Sequence, residues 1–383
     1  MARASWIRKM FEEGARLKAQ WGEDKVFDFS LGNPCLEPPE EYLQALRGHA
    51  EDRTPGKYMY MPNAGYKGTR DAVAAYLRKE RGIPFEGHHI TMTCGAGGGL
   101  NVVLKALMNP GDEVIVLAPY FPEYMFYIDN HGGKPVVVST QKDFLLDVDA
   151  IEKALTPSTC ALIINSPNNP TGRLYPKESL AQLGEMLRKK RTASGRTIYL
   201  ISDEAYGDII YDGQSLPDVL SAYENAILVY SYSKSLSLPG ERLGYIAVHP
   251  GADDVKDLLE AMTFCNRTLG FVNAPATPQH IIRKLQGVHV NIEEYQRRRD
   301  TLCNGLLQAG YRFIRPEGAF YLFPETPIAD DLSFVQALLA EGILAVPGSG
   351  FGTPGHFRIA YCVDDRVIRG AFPIFERVWK RYA

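Results

Sequence analysis

The residues whose types and spacing could do chemistry together begin with Ser231-Tyr232-Ser233-Lys234 and continue with Gly240-Glu241-Arg242-Leu243-Gly244-Tyr245. A lysine forms a Schiff base only when its amine is unprotonated, which requires desolvation or a neighbouring cation. Arg242, eight residues after Lys234, supplies such a cation and a planar fork suited to a phosphate. Two hydroxyls, a free amine and an arginine in one place imply a phosphate site beside an amine, and so point to pyridoxal phosphate. The alternative is a solvated lysine among loop serines, because short motifs recur by accident.

Two further stretches bear on that choice. Thr93-Cys94-Gly95-Ala96-Gly97-Gly98-Gly99-Leu100 follows an apolar run and opens a helical stretch, so its amides can face an anion with the helix dipole behind them. It is not a dinucleotide fingerprint. Leu100 stands where the third glycine of GxGxxG belongs, and the next apolar run ends in Ala118-Pro119 instead of an acidic ribose binder. No Gly-Lys-Ser/Thr follows, which excludes a Walker loop. Asp203 lies just past Tyr199-Leu200-Ile201, where an unpaired buried carboxylate is costly. A protonated pyridine nitrogen would pair with it and turn the ring into an electron sink; a cap on a following helix is the other reading.

The elements that must position these residues are apolar runs alternating with helix-length segments. The runs are Ile90–Thr93, Glu113–Leu117, Pro135–Val138, Cys160–Ile164, Thr197–Ile201, Ala226–Val229 and Tyr245–Val248. Such alternation predicts βαβ units and a mostly parallel sheet covered on both faces. Ligands of such sheets sit at the carboxyl ends of the strands. Asn169, Asp203 and Lys234 follow successive runs at spacings of 34 and 31 residues, one βα unit each. Before the sheet, Trp6, Ile7, Met10, Phe11 and Leu17 recur at helical spacing, a second helix is expected near Glu40–Leu46, and a third over Lys67–Arg81. After it, a helix near Asp253–Met262, a Gly/Asn/Pro-rich link over Asn266–Pro278 and a long helical stretch over Gln279–Ala309 are expected. Strands over Phe313–Phe323, Leu344–Val346 and Phe357–Tyr361, with helices over Leu332–Glu341 and Val367–Tyr382, complete a second domain.

The bulk composition sets outer bounds. Of 383 residues, 45% are hydrophobic and 23% charged, which is globular and not disordered. The formal net charge of −3 gives no reason to expect a nucleic-acid or anionic-membrane partner. Six cysteines without CxxC spacing indicate reduced thiols in a cytoplasm, and the eight histidines show no metal-ligand spacing, so no metal is expected. No window of eighteen apolar residues suggests a membrane span.

Ser166-Pro167-Asn168-Asn169-Pro170-Thr171-Gly172, Ser202-Asp203-Glu204-Ala205-Tyr206 and Ser231-x-Ser233-Lys234 with Gly240-x-Arg242-x-Gly244 strongly resemble the class I/II aminotransferases, the aspartate-aminotransferase-like branch of fold-type-I pyridoxal-phosphate enzymes. The resemblance runs from about Phe29 to Tyr361. The expected organisation is α/β: a large domain (47–270) with a mostly parallel seven-stranded sheet between helices, and a smaller α+β domain built from both chain ends (1–46 and 271–383).

What the resemblance implies falls on particular positions. Lys234 would be the Schiff-base lysine and the general base and acid at the substrate Cα. Asp203 would pair with the pyridine nitrogen, and Asn169 and Tyr206 would hydrogen-bond the phenolic oxygen of the cofactor. Its phosphate would lie on the amides of Ala96 and Gly97, the hydroxyls of Ser231 and Ser233, and Arg242. Phe121 would stack on the ring. Arg358 would fork onto the substrate α-carboxylate beside Gly318-Ala319-Phe320-Tyr321, and Gly32 would line the entrance. Tyr60 would reach the phosphate site of a neighbouring subunit, which implies a homodimer with shared sites. Arg267 is a candidate for binding a distal carboxylate from the partner. Gly97 stands where some aspartate-using relatives carry a lysine, which argues against a dicarboxylate preference. The activity implied is ping-pong transfer of an amino group between an L-amino acid and a 2-oxo acid. A β-lyase on the same scaffold and a ligand-binding relative without chemistry are the alternatives.

Overall fold

Alternate residues of each apolar run pack on opposite faces of one sheet. Val114 and Val116 join a buried cluster with Ile163, Ile201 and Val229, whereas Ile115 and Leu117 join another with Leu162, Ile164, Leu200 and Leu228. Both faces are therefore covered, as a strand with no polar position requires. The structure, a computed structural model, describes residues 6–382. Of the expected apolar side of the first helix (Trp6–Trp21), Met10 and Leu17 are buried, and the side chains of Trp6, Ile7 and Phe11 lie outside the described residues.

The strands are β1 (Phe27–Asp28), β2 (Ile90–Thr93), β3 (Glu113–Ala118), β4 (Lys134–Ser139), β5 (Thr159–Asn165), β6 (Tyr199–Asp203), β7 (Ala226–Ser231), β8 (Gly244–Val248), β9 (Tyr321–Leu322), β10 (Ile343–Leu344), β11 (Val346–Pro347) and β12 (Phe357–Ala360). Seven form one sheet in the order β2-β8-β7-β6-β5-β3-β4. All pairings are parallel except those of β8, which runs antiparallel to β2 and β7. The mostly parallel seven-stranded sheet is as expected. From β3 the chain moves outward to β4 and then returns to the other side of β3 as β5. That reversal is a topological switch point, and it opens a crevice outside the carboxyl ends of β3 and β5.

The smaller body draws on both chain ends. It contains the antiparallel sheet β11-β12-β9, the parallel pair β1-β10, the first helix, and the helices Ile292–Gln308, Asp331–Ala340 and Asp365–Tyr382. In the last of these, Ile368, Ala371, Phe375 and Val378 form the apolar stripe and are buried.

Three expected elements are corrected. The long helix over 279–309 is two helices, Ala276–Ile282 and Ile292–Gln308. Between them the Val290 N–H donates to the Ser235 carbonyl at 2.8 Å, tying the break to the segment that carries Lys234. The strand over 313–323 shrinks to β9, because the preceding backbone pairs with another segment: Ala319 N–H donates to Ile209 O at 2.9 Å, and Ile210 bridges Gly318. Cys265–Thr268 is no link but the last turn of the helix Val255–Thr268. Its Asn266, polar enough to read as loop, is buried with its amide donating to the carbonyls of Asn63 and Met92.

Phe375 is fully buried, with its ring 5.9 Å from that of Phe29 and 5.7 Å from that of Tyr311. Phe375→Ala is expected to cost about 3–5 kcal/mol through lost transfer energy and a residual cavity. A fall in the urea midpoint of the smaller body checks this; an unchanged midpoint would mean that the site collapses without penalty.

Candidate active site

The crevice at the switch point holds a cavity of about 350 Å³. Each strand end contributes to its wall: Phe121 follows β3, Asn169 follows β5, Asp203 ends β6 with Tyr206 just beyond, and Ser231, Ser233 and Lys234 close β7. Ala96 and Gly97 come from the first turn of the helix Gly95–Leu107, and Arg242 from the turn before β8. The smaller body adds Gly32 and Arg358. Tyr60 and Arg267 do not line this cavity. Tyr60 is 93% exposed, and Arg267 is exposed in the last helical turn before Leu269.

Ser231 accepts from the Ser233 N–H at 3.2 Å and donates to the Ser233 hydroxyl at 2.9 Å, so a short helical turn presents both hydroxyls beside Lys234. The Lys234 Nζ donates to the Gly32 carbonyl at 2.6 Å. Its pKa is pushed down to about 8, chiefly by burial; the Arg358 and Arg242 charges act in the same direction, against the Cys362 thiol. Arg242 adopts a left-handed backbone (φ 51°) and donates from Nη1 to Pro239 O at 2.9 Å. A Cβ on Gly95 would come within 2.8 Å of its Nη2. With φ at 69°, glycine suits this position and leaves room for the guanidinium at the start of the helix, where amides and dipole already favour an anion.

Asp203 is buried, and each carboxylate oxygen has a donor: Tyr124 Oη at 2.6 Å from Oδ2 and the Ala205 N–H at 3.2 Å from Oδ1. Burial raises its pKa to about 6, against these two hydrogen bonds and with the Glu204 charge. No helix follows directly, and the next one, Val219–Ala222, is capped by Asp218. The neighbouring Glu204 turns away, into contact with Arg81 and Ser202.

Arg358, on β12, donates from Nη1 to Asn169 Oδ1 at 3.1 Å and from Nη2 to the Ser30 carbonyl. Its guanidinium lies 4.6 Å from the ring centre of Tyr321 and 5.0 Å from that of Phe351, and its buried Nε has no hydrogen-bond partner. An arginine donor left open beside a cavity is suited to a carboxylate. Tyr206 and Tyr321 share a hydroxyl–hydroxyl hydrogen bond of 2.7 Å. A Cβ on Gly32 would lie 1.9 Å from Tyr321 Oη, so glycine is needed for the entrance loop to pass this ring. Tyr124, Tyr127 and Tyr321 also line the cavity, and no sequence motif gives any of the three a role there. The one available signal for Tyr124 was a polar-tipped ring in the first turn after β3.

A desolvated lysine amine and a buried arginine lining one cavity are suited to a substrate that carries both an amino group and a carboxylate. Comparison with known proteins makes this specific: residues 24–372 match aminotransferase class I and II, and the chain belongs to that family. It is a transaminase. It is 34% identical to the aspartate/prephenate aminotransferase of Thermus thermophilus, over 92% of this chain and 90% of that one. It is 31% identical to aromatic-amino-acid aminotransferase 2 of Thermococcus litoralis, over 99% and 97%. Among solved structures, an aminotransferase from Eubacterium rectale matches with a TM-score of 0.96 and 39% identity, covering 98% of this chain and 95% of that one. The Thermus thermophilus aspartate aminotransferase with maleate matches with a TM-score of 0.85 and 30% identity, over 98% and 97%.

The depressed Lys234 pKa predicts how this amine reacts in the ligand-free protein. Reductive methylation of Lys234, followed by peptide mass spectrometry, should rise with pH through about 8, whereas solvated lysines should need a pH near their ordinary value of about 10.4. A Lys234 profile coinciding with that of the surface lysines would refute the desolvated amine.

Proposed function

We propose that this transaminase uses pyridoxal phosphate and prefers amino donors with aromatic or other uncharged side chains. The observation that carries the cofactor reading is the convergence of Ser231, Ser233, Arg242 and the first turn of the helix Gly95–Leu107 on one corner of a cavity that also holds Lys234 and Asp203. This donor set fits a phosphate, an aldehyde and a basic ring nitrogen at the same time. When bound, the cofactor supplies an electron sink for the charge that develops at the substrate Cα.

The chain's own groups do the rest. Ser231, Ser233, Arg242 and the amides of Ala96 and Gly97 hold the phosphate, and Phe121 covers the ring face. Asp203, as a carboxylate, holds the proton on the ring nitrogen, and Asn169 and Tyr206 hydrogen-bond the phenolic oxygen. Arg358 fixes the substrate α-carboxylate with the donors that Asn169 and Ser30 leave open. Lys234, with its amine largely neutral above pH 8, takes the proton from Cα and later returns it. One oxo acid leaves before the next binds, which is a ping-pong exchange.

The donor preference rests on charge. Among the described residues the only cationic side chains lining the cavity are Lys234, Arg242 and Arg358, and each already has a task. A distal carboxylate on the substrate would be buried without a cation from this chain, which is costly. Leu31, Tyr127 and Tyr321 line the remaining wall and suit an apolar or aromatic side chain. A second copy would be needed to bring Tyr60 and Arg267 to the site. The exposed Tyr58, Met59, Tyr60 and Phe264 favour such a homodimer, since large exposed apolar groups mark interfaces. The six free cysteines suit the cytoplasm. We also propose the domain division at 47–270 against 1–46 and 271–383 with one adjustment. The helices Glu40–Glu51 and Ala276–Ile282 go with the large domain, because Tyr42, Ala274, Ile281 and Ile282 pack in a sheet-face cluster.

Lys234→Ala is expected to lower kcat by at least ~10⁴, because it removes the Schiff-base amine together with the general base, and acid–base catalysis alone contributes about 10²–10⁴; near-normal turnover would sink the mechanism. Adding single amino acids to the loaded enzyme should convert its aldehyde absorbance with aromatic or aliphatic donors more readily than with aspartate or glutamate. The reverse order would place a distal cation in the site, with Arg267→Ala deciding whether it is that residue. Pyruvate and ammonia from a cysteine conjugate, without transfer to an oxo acid, would instead support the β-lyase. Mixing Tyr60→Phe and Lys234→Ala subunits should restore one working site per dimer, and a fully active monomer would contradict shared sites.

A further inference from the structure

Tyr124 is the best-placed polar group at the cavity that no step above uses. It sits in the first turn of the helix Glu123–Asn130, which begins directly after the Phe121 corner, and its residue is 2% exposed. Its ring packs in the sheet-face cluster with Val114, Val116 and Ile128, and meets the Phe121 ring edge-on at 5.5 Å. A phenylalanine would fill that packing role. Burying a hydroxyl is costly unless it is hydrogen-bonded, and this one donates to Asp203 Oδ2 at 2.6 Å, a length usual for a phenol on a charged carboxylate.

We infer that Tyr124 is a positioning residue, whose phenol keeps the Asp203 carboxylate ionised inside the protein and fixes which of its oxygens faces the cavity. The inference rests on the reading of Asp203 as the partner of a protonated ring nitrogen. Its physical basis is a count of donors. Oδ1 takes the Ala205 N–H and Oδ2 takes Tyr124, so both oxygens are anchored and only the remaining lone pairs are open to a ligand. Both donors favour the charged form over the neutral acid, against the desolvation that favours the acid. The other titratable groups around Asp203 cannot replace the phenol. Tyr127 on the same helix and Tyr206 beyond β6 act on it only through space, and Glu204 is a second carboxylate paired with Arg81. Asn165 of β5 donates to the Asp203 main-chain carbonyl, leaving the carboxylate to Tyr124 and Ala205.

The sign follows directly. Removing a donor that favours the ionised form raises the carboxyl pKa, so Asp203 becomes a neutral acid over a wider range of pH. A neutral acid cannot hold a protonated ring nitrogen, so ligand affinity is lost as the pH falls through the Asp203 midpoint.

The test is a carboxyl-carbon NMR titration of the full-length, cofactor-free protein carrying ¹³C-labelled aspartate, with the Asp203 signal assigned by its loss in Asp203→Asn. In Tyr124→Phe the Asp203 midpoint is expected to move upward by about one to two pH units, the worth of a hydrogen bond to a charged group. The pH below which pyridoxal phosphate affinity falls should move up with it. An unmoved or lowered midpoint overturns the proposal, whether or not the protein binds pyridoxal phosphate. Failure of the unaltered protein to bind pyridoxal phosphate sinks the cofactor reading and leaves the titration to decide the Tyr124 coupling by itself. Should Tyr124→Phe not fold, 3-fluorotyrosine at position 124 makes the phenol a stronger donor and should lower the midpoint; no movement there also overturns the proposal.

Discussion

Three cationic side chains, Lys234, Arg242 and Arg358, share one cavity with two acidic ones, Glu123 and the buried Asp203, and the rest of the architecture holds these charges together. In water such groups would move apart and stay hydrated. Here the ends of β5, β6 and β7 fix Asn169, Asp203 and the Ser231–Lys234 turn, and those strands cannot shift without breaking a sheet packed on both faces. Holding them there has two consequences. Burial, with the Arg358 and Arg242 charges acting in the same direction, depresses the Lys234 amine to the point where the free base is accessible near neutral pH, and the buried Arg358 Nε is left without a hydrogen-bond partner.

The second body completes the site instead of merely covering it. Gly32 accepts from Lys234, Ser30 and Asn169 accept from Arg358, and Tyr321 bonds to Tyr206, so the entrance loop, β9 and β12 each touch a residue of the sheet or of each other. Every one of these contacts is polar, and those of Arg358 and of Tyr206 with Tyr321 are shielded from water. In such a setting a hydrogen bond is stronger, and its loss more costly, than on the surface. Arg358 and Lys234 thus donate to carbonyls of the same loop, those of Ser30 and Gly32.

Transamination demands that several groups with conflicting preferences coexist. In the proposed reaction a lysine is neutral, an aspartate charged, and two arginines bind anions within one small volume. Each of these groups has a different local environment. The lysine is buried beside cationic neighbours, the aspartate has a phenol and an amide, and Arg358 lies against two aromatic faces.

Much of this was legible in the chain before any folding was considered. Asn169, Asp203 and Lys234 could be found because each follows an apolar run, and parallel strands bury both faces and release their polar residues at one end. Helix limits such as Lys67–Arg81 were readable for a similar reason, since the stretch is periodic and ends at a glycine in the left-handed conformation. Other features had no local signature. The strand order that creates the switch point, the contact of Arg358 with Asn169 across 189 positions, the break at 283–291 and the grip of Tyr124 on Asp203 across 79 positions all join residues distant along the chain. Sequence by itself determined which residues stand at the ends of strands, because hydrophobic period and turn chemistry act over a few residues. Only the tertiary structure decided which of those ends meet, because that depends on how whole strands and helices pack.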